Sequence, residues 1–404
     1  MGKTRVFPWG KNEVFLQIKK PCQTGTLTEL RKERAPIKNH IDYSIQVGKS
    51  QDVSVVDIEL ENKWTPKKVQ SLLLSDSYIR LDWIRKAERV ADCGSWLEFV
   101  ERSEPGRGVA VPGSPCGATD GAPARMAEYK LYHANFCRDR LCPMCSWRRS
   151  YKIFGQVSQI MNLLGNNYRY IFLTLTVPNC EPEELNKLID NMVKGWQRFL
   201  RRKAVKNAVK GFFRALEVTR NKKTGTYHPH FHVVLAVLPS YFKHDDYIKR
   251  DEWLQLWQQS MKDDTITQVD VRTMKNKKTG EVSGEALASA VAETAKYAVK
   301  SADYIFKNND KLMDEIVLTL SSALSHRRLT AFGGCFAEAR EKLGLDDCED
   351  GDLIHIDDNN IRSDLATMIV RYEWSCGAYK LVKKTQLDII DGVAVNPENG
   401  EVIP

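Results

Sequence analysis

Phe212-Phe213-Arg214-Ala215-Leu216-Glu217-Val218-Thr219 is followed, after the polar turn Asn221-Lys222-Lys223-Thr224-Gly225, by His228-Pro229-His230-Phe231-His232-Val233-Val234-Leu235. Two apolar, β-favouring runs joined by a glycine-bearing polar turn predict an antiparallel hairpin. Residues two apart on a strand share a face, so His230 and His232 present their imidazoles together while Phe231 and Val233 point into the core. Paired imidazoles make a seat for a divalent cation, because imidazole is the commonest metal ligand near neutral pH. Glu217 is expected roughly opposite this segment, where its carboxylate completes a site for Mg²⁺ or Mn²⁺. His228, held before Pro229, is expected to stay outside the ligand set.

Around the hairpin, strand and helix patterns alternate. Tyr170 to Val177 is a β-rich run stopped by Pro178, and Pro182 to Ala208 carries helical spacing at Leu185, Leu188, Ile189, Met192, Trp196 and Leu200. Asp245 to Lys262 reads as a second helix, Ile266 to Arg272 as a further strand and Glu285 to Phe306 as an Ala-rich helix. This order predicts an α+β fold over residues 150–309, a mainly antiparallel central sheet flanked by helices. Residues 1–66, interrupted by Pro8, Pro21, Pro36 and Pro66, are expected to form an N-terminal arm. Residues 67–149 are expected to be helical from Lys67 to Phe99, then a loop from Glu104 to Ala124, then a cysteine-rich segment that binds metal and DNA. Residues 310–404 form a C-terminal region with an acidic linker, in which Asp346, Asp347, Glu349, Asp350, Asp352, Asp357 and Asp358 are expected to be solvated, and a small piece around Trp374 to Val382.

Cys137-Arg138-Asp139-Arg140-Leu141-Cys142-Pro143-Met144-Cys145 is a C-x4-C-x2-C array. A Cys-x-x-Cys turn holds two thiolates close enough for tetrahedral Zn²⁺, and Cys93, Cys116 and His133 are the available fourth ligands. Arg138, Arg140, Arg148 and Arg149 surround this knuckle and read as phosphate contacts. Further on, Glu293, Tyr297 and Lys300 fall on one face of the expected Ala-rich helix. A tyrosine there is a competent nucleophile toward a phosphodiester when a metal polarises the phosphate and a cation favours the phenolate.

Taken with the histidine pair, these motifs resemble the replication initiator proteins of rolling-circle plasmids from Gram-positive bacteria, within the HUH endonuclease superfamily. The resemblance rests on Phe172 to Asn179, His228 to Leu235, Glu293 to Tyr304, Cys93-Gly94, the cysteine array and Phe332-Gly333-Gly334, and covers Trp64 to Leu343. It implies an HUH-like fold with an N-terminal zinc knuckle and a small C-terminal extension, and it favours Cys93 as the fourth zinc ligand. It also implies a nickase in which Tyr297 attacks the origin phosphodiester, leaving a 5′-phosphotyrosine and a 3′-OH primer. Glu293 would activate water at termination, Lys300 would stabilise phosphate or phenolate charge, and Tyr304 would be the reserve nucleophile. The implied partners are double-strand origin DNA, single-stranded or hairpin DNA, and host helicase and polymerase; whether the protein forms an oligomer is left open. A conjugative relaxase, a single-strand transposase and a zinc-containing regulator without catalysis are the competing readings.

Composition sets outer bounds. Across 404 residues, 60 Lys plus Arg against 52 Asp plus Glu give a net charge of +8, which permits a nucleic-acid partner without requiring one. Asn186 to Arg220 alone holds ten basic residues and two acids, Arg201, Arg202 and Lys203 at its centre, and reads as a DNA-binding stripe. No apolar run approaches the roughly 18 residues of a membrane span, and the N-terminus lacks an apolar signal segment, so a soluble cytoplasmic protein is expected.

Overall fold

The computed structural model describes residues 55–102, 128–243, 247–273, 291, 298–356 and 366–403. The chain enters as helix α1 (Val55–Glu59), passes a π-helical turn at Leu60–Trp64 and continues as α2 (Thr65–Arg80) and α3 (Ile84–Asp92). Pro66 does not interrupt this run, because it sits in the first turn of α2, where a backbone N–H is dispensable. The helical region therefore begins before Lys67, and Val56, Leu60 and Trp64 are buried core residues rather than part of an exposed arm. Residues 1–54 of the expected arm lie outside the described residues, as does the expected loop from Glu104 to Ala124. The helix expected to reach Phe99 stops at Asp92. The chain turns at Gly94, whose φ of +61° a side-chain-bearing residue rarely adopts, and becomes strand β1 (Trp96–Arg102).

Next come β2 (Glu128–Ala134), the long helix α4 (Pro143–Leu164), β3 (Arg169–Thr176), α5 (Leu185–Arg201) and α6 (Lys203–Ala208). The expected hairpin follows as β4 (Val209–Arg220) and β5 (Tyr227–Val237), then α7 (Arg250–Met261), β6 (Val269–Thr273), α8 (Asp310–Leu324), β7 (Thr330–Gly334) and α9 (Cys335–Lys342). The chain ends in β8 (Ala366–Ser375), β9 (Ala378–Gln386) and the small ribbon of β10 (Asp388–Ile390) and β11 (Val393–Val395).

Five strands in the order β6-β3-β5-β4-β7 form the central sheet, with every pair antiparallel. The fold is thus α+β, as the sequence predicts. The sheet reaches past residue 309, because β7 closes its edge against β4. Phe332-Gly333-Gly334 permits this approach: a Cβ on Gly333 would enter the Phe212 ring, and one on Gly334, at φ +54°, would meet the Lys210 carbonyl. The C-terminal strands are not an isolated piece either. β8 pairs with β1, giving a second sheet in the order β2-β1-β8-β9.

Strand alternation gives the central sheet two differently covered faces. Phe231, Val233 and Leu235 pack with Trp196 and Phe199 of α5 and Trp253 and Trp257 of α7. Val234, Ala236, Phe172 and Phe213 pack on the other face with Ile153, Val157 and Ile160 of α4 and Phe336 of α9. On α5, the buried Leu185, Ile189, Met192, Trp196 and Phe199 follow the three-and-four spacing of one helical face. His230 and His232 belong to the α4 side of the sheet, one strand period beyond Val234.

Candidate functional site

The antiparallel register sets Glu217 directly opposite His230 and Ala215 opposite His232, with Thr176 and Thr174 opposite the same two histidines on β3. All three expected ligands are buried and converge. The Nε2 atoms of His230 and His232 lie 3.1 Å apart, and Glu217 Oε2 is 2.7 Å from His232 Nε2 and 3.3 Å from His230 Nε2. Adjacent ligands of an octahedral ion with bonds of about 2.1 Å stand roughly 3 Å apart, so this spacing fits a cation seated among the three atoms. The remaining imidazole nitrogens are taken up elsewhere. His230 Nδ1 is 3.1 Å from the His228 carbonyl, which can only accept; this makes Nδ1 the protonated nitrogen and leaves Nε2 its lone pair. His232 Nδ1 lies 3.4 Å from Thr174 Oγ1, and the His232 ring stacks on Phe172.

Burial pushes the Glu217 carboxyl upward, but the adjacent imidazoles of His230 and His232 outweigh that and hold it well below the usual carboxylate range. It is therefore an ionised ligand. The half-exposed Lys300 reaches within 3.7 Å of Glu217 Oε1, adding a cation at the open side of the site. His228 contributes its backbone carbonyl to the site while its ring packs beside His230. Thr174 escaped the sequence reading, although its register opposite His232 follows from pairing Phe172 to Asn179 with the histidine strand.

Tyr297 and Glu293 lie outside the described residues. The helix expected to run through them to Phe306 does not extend that far. Ala298 offers its carbonyl to the Val218 N–H at 2.7 Å, Lys300 is extended, and only Ser301–Asp303 forms a 3-10 turn. Backbone pairing with β4 takes over from helix there, so Tyr304 does not follow from helical periodicity. It is buried, and its hydroxyl donates to the Leu141 carbonyl beneath the cysteine array.

The second constellation is the four-cysteine cluster of Cys93, Cys137, Cys142 and Cys145, all buried. Their sulfurs stand 3.5 to 3.6 Å apart across three pairs, near the roughly 3.8 Å of a tetrahedral Zn²⁺ with bonds of about 2.3 Å. Backbone N–H groups of Cys137, Arg138 and Asp139 point at the sulfurs of Cys93, Cys145 and Cys137, and Ser71 Oγ lies 3.4 Å from Cys142 Sγ. These donors stabilise thiolate charge. The buried Lys68, held by the carbonyls of Ala91 and Cys93, adds a cation nearby. His133 is engaged with Glu98 and Glu401 and does not join the cluster, while Cys116 lies outside the described residues.

The basic residues expected to face DNA divide into two groups. Arg148 donates to the carbonyls of Leu353 and Ile354, and Arg149 donates to the carbonyls of Glu349, Asp139 and Arg138; both are buried and face inward. Arg140 pairs with Glu349 at 2.7 Å and Arg138 reaches the Asp350 carbonyl at 3.0 Å. From Asp346 to Asp352 the acidic segment is correspondingly not a solvated linker, while Asp357 and Asp358 lie outside the described residues. Glu349 is buried and accepts from Thr330, Asp346 takes Lys152 at 2.5 Å, and Asp347 pairs with Arg328. Arg201, Arg202 and Lys203 lie at the junction of α5 and α6. Arg201 and Lys203 are exposed there, on the sheet face opposite the histidines.

Comparison with known proteins gives one consistent answer. Residues 128–380 match the family described as "Replication protein". The chain is 36% identical to "Protein rep" of Streptococcus pneumoniae serotype 2 (strain D39 / NCTC 7466), covering 77% of this chain and 88% of that protein. It is 37% identical to "Protein rep" of Bacillus amyloliquefaciens, covering 79% and 91%. It is 38% identical to a "Replication protein" of Staphylococcus aureus, covering 51% and 87%. No solved structure matches the chain. Among the described residues no helix is long and apolar enough to cross a membrane. The matched segment carries both the cysteine array and the paired histidines, and the chain belongs to the replication protein family.

Proposed function

We propose that this protein initiates plasmid rolling-circle replication as an origin-specific, metal-dependent DNA nickase and strand transferase. The observation that carries this reading is the convergence of Glu217, His230 and His232 on one small volume beside Lys300. Mg²⁺ or Mn²⁺ held by these three ligands would polarise a phosphodiester oxygen. The chain's own residues supply the rest. Tyr297 is the nucleophile: its phenolate oxygen bonds to phosphorus, the bond from phosphorus to the 3′ oxygen breaks, and that oxygen takes up a proton to become the 3′-OH primer. Support for its proximity comes from Ala298, the residue that follows it, which is hydrogen-bonded to Val218, the residue that follows Glu217. Lys300 favours the phenolate and the phosphate charge, and Glu293 activates water for the closing cleavage. The four-cysteine cluster holds Zn²⁺ as a structural ion, and Arg138, Arg140, Arg201, Arg202 and Lys203 contact DNA phosphates. Host helicase and polymerase act on the primed origin.

The test is incubation with a labelled single-stranded origin fragment and Mn²⁺, followed by mapping of the labelled peptide. The label should appear on the peptide containing Tyr297 and vanish in Tyr297→Phe. An adduct that persists in that variant overturns the nucleophile assignment, and the absence of any adduct under every metal tried overturns the nickase.

A further inference from the structure

A cavity of about 600 Å³ opens between the cysteine array and the C-terminal end of α8. Six cations line it: Lys86 and Arg89 from α3, Arg138 and Arg140 from the array, and Arg327 and Arg328 from the segment after α8. Asp139 and Asp350 are its only lining carboxylates among the described residues. Asp139 is already engaged by the Tyr78 hydroxyl at 3.0 Å and by Lys86 at 3.3 Å. Arg140, Arg327 and Arg328 pair with Glu349, Asp190 and Asp347, none of which lines the cavity. Arg89 and Arg138 make their hydrogen bonds to the carbonyls of Cys137 and Asp350. A helix C-terminus carries about half a negative charge, which one cation offsets. Lys86, Arg140, Arg327 and Arg328 are offset by their carboxylates, but among the described residues Arg89 and Arg138 bond only carbonyls and together exceed the helix end and the Asp350 carboxylate, so the cavity keeps a positive surplus for an external anion.

We propose that this cavity grips backbone phosphates of duplex origin DNA beside the nick, a binding site separate from the metal centre. The inference rests on the initiator reading above. Among the described residues the lining contains no Phe, Tyr or Trp on which a base could stack, which favours phosphate contacts over a nucleotide or an unpaired strand. Its position suits the role. Leu141, in the cavity wall, accepts the Tyr304 hydroxyl, and Tyr304 is four residues from Lys300 at the metal centre. Four residues span at most about 14 Å, which with side chains keeps the two sites within about 20 Å of each other. At about 3.4 Å of axis per base pair, the cavity meets phosphates within about six base pairs of the scissile bond.

The experiment uses the full chain and an origin duplex extending about ten base pairs past the nick, with binding followed by fluorescence anisotropy across a salt series. Combining Arg89→Gln with Arg328→Gln should weaken duplex binding about tenfold and lower the salt slope by about 2, one for each phosphate that is no longer neutralised. Asp350→Asn should tighten binding several-fold, a gain that a misfolded variant cannot produce. Cleavage of a short single strand ending three nucleotides either side of the nick should be unchanged by all three substitutions, because it offers no duplex for the cavity to grip. Wild-type affinity and slope in the double variant overturn the inference. So does saturable ATP binding that the double variant loses while duplex binding stays intact, since the cavity is then a nucleotide site. If the wild-type protein binds no origin duplex, the initiator reading itself fails, and the inference with it.

Discussion

The decisive detail at the scale of single residues is which nitrogen of each histidine faces the centre. The His228 carbonyl fixes the His230 tautomer, and alternation sends Phe231 to the opposite core. The three positions in a row should therefore fail in different ways. His232→Ala removes a ligand and should weaken Mn²⁺ binding by at least about 100-fold, the upper end of what losing a supporting partner costs. Its thermal melting should change little by comparison. Phe231→Ala should instead cost about 3 to 5 kcal/mol of stability by emptying a core site, with Mn²⁺ affinity retained in the folded fraction. Calorimetric Mn²⁺ titration and thermal melting of the two variants separate these outcomes. Equal metal affinity in wild type and His232→Ala would remove the metal centre from the mechanism. This much was legible in the sequence because period-two alternation and hairpin register are local rules: the turn at Asn221 to Gly225 fixes the pairing that brings Glu217 to His230.

Among the elements, the acidic segment after α9 behaves least as its composition predicts. Carboxylates crowded into a short stretch read as solvated, yet Arg148, Arg149 and Lys152, one face of α4, collect backbone and side chains from Asp346 to Ile354. A charge run docks or stays solvated according to what lies some 200 residues away in sequence, and no local pattern carries that information. The same holds for β8, which finds β1 across the whole chain, and for Ala298, where pairing with the β4 backbone converts the expected helix into an extended segment. Arg148→Ala should lower stability by roughly 2 to 4 kcal/mol, because two carbonyls in a largely buried setting lose their donor. It should leave duplex affinity unchanged, which thermal melting and a binding isotherm check together. Acid should undock the segment by a separate route. Burial pushes the Asp347 carboxyl up, but the N–H groups of Glu349 and Asp350 and the Arg328 guanidinium outweigh this and bring it down to about 2. A depressed folded value means that the stabilisation is present above the unfolded value of about 4 and is lost as pH falls toward 2. Hydrogen exchange at residues 346–354 should rise across that window, and Asp347→Asn should show the faster exchange already at pH 5.

Two side-chain groups that could hold metal, of opposite chemical character, lie in different parts of the core. Four cysteine sulfurs would suit a tetrahedral Zn²⁺, while two imidazoles and one carboxylate would leave room for water and phosphate on a harder ion. The cysteine cluster belongs to the larger hydrophobic cluster with Trp64, Tyr78, Leu97 and Tyr372, so it ties α2, α3, the β1–β8 sheet and the start of α4 together. Loss of an ion held there would leave four buried cysteines without the bond that ties their segments together, at a cost in stability. The histidine site lies on β4 and β5, which are held by their own backbone pairing and by core packing on both faces. Stepwise metal removal should therefore give two separable losses. Mild EDTA treatment should abolish nicking with little change in melting temperature, and Mn²⁺ alone should restore activity. A thiol-competitive chelator should release one equivalent of zinc, expose four further cysteines to a thiol reagent and lower the melting temperature by about 10 °C or more, on the order expected when a structural zinc contributes several kcal/mol. Mn²⁺ should not restore activity after that second step, whereas Zn²⁺ followed by Mn²⁺ should. Cys142→Ser should reproduce the second loss without any chelator. Coincident loss of both ions at one chelator concentration, with a single melting change, would mean that the two centres are one cooperative unit and that the division of labour between them is wrong.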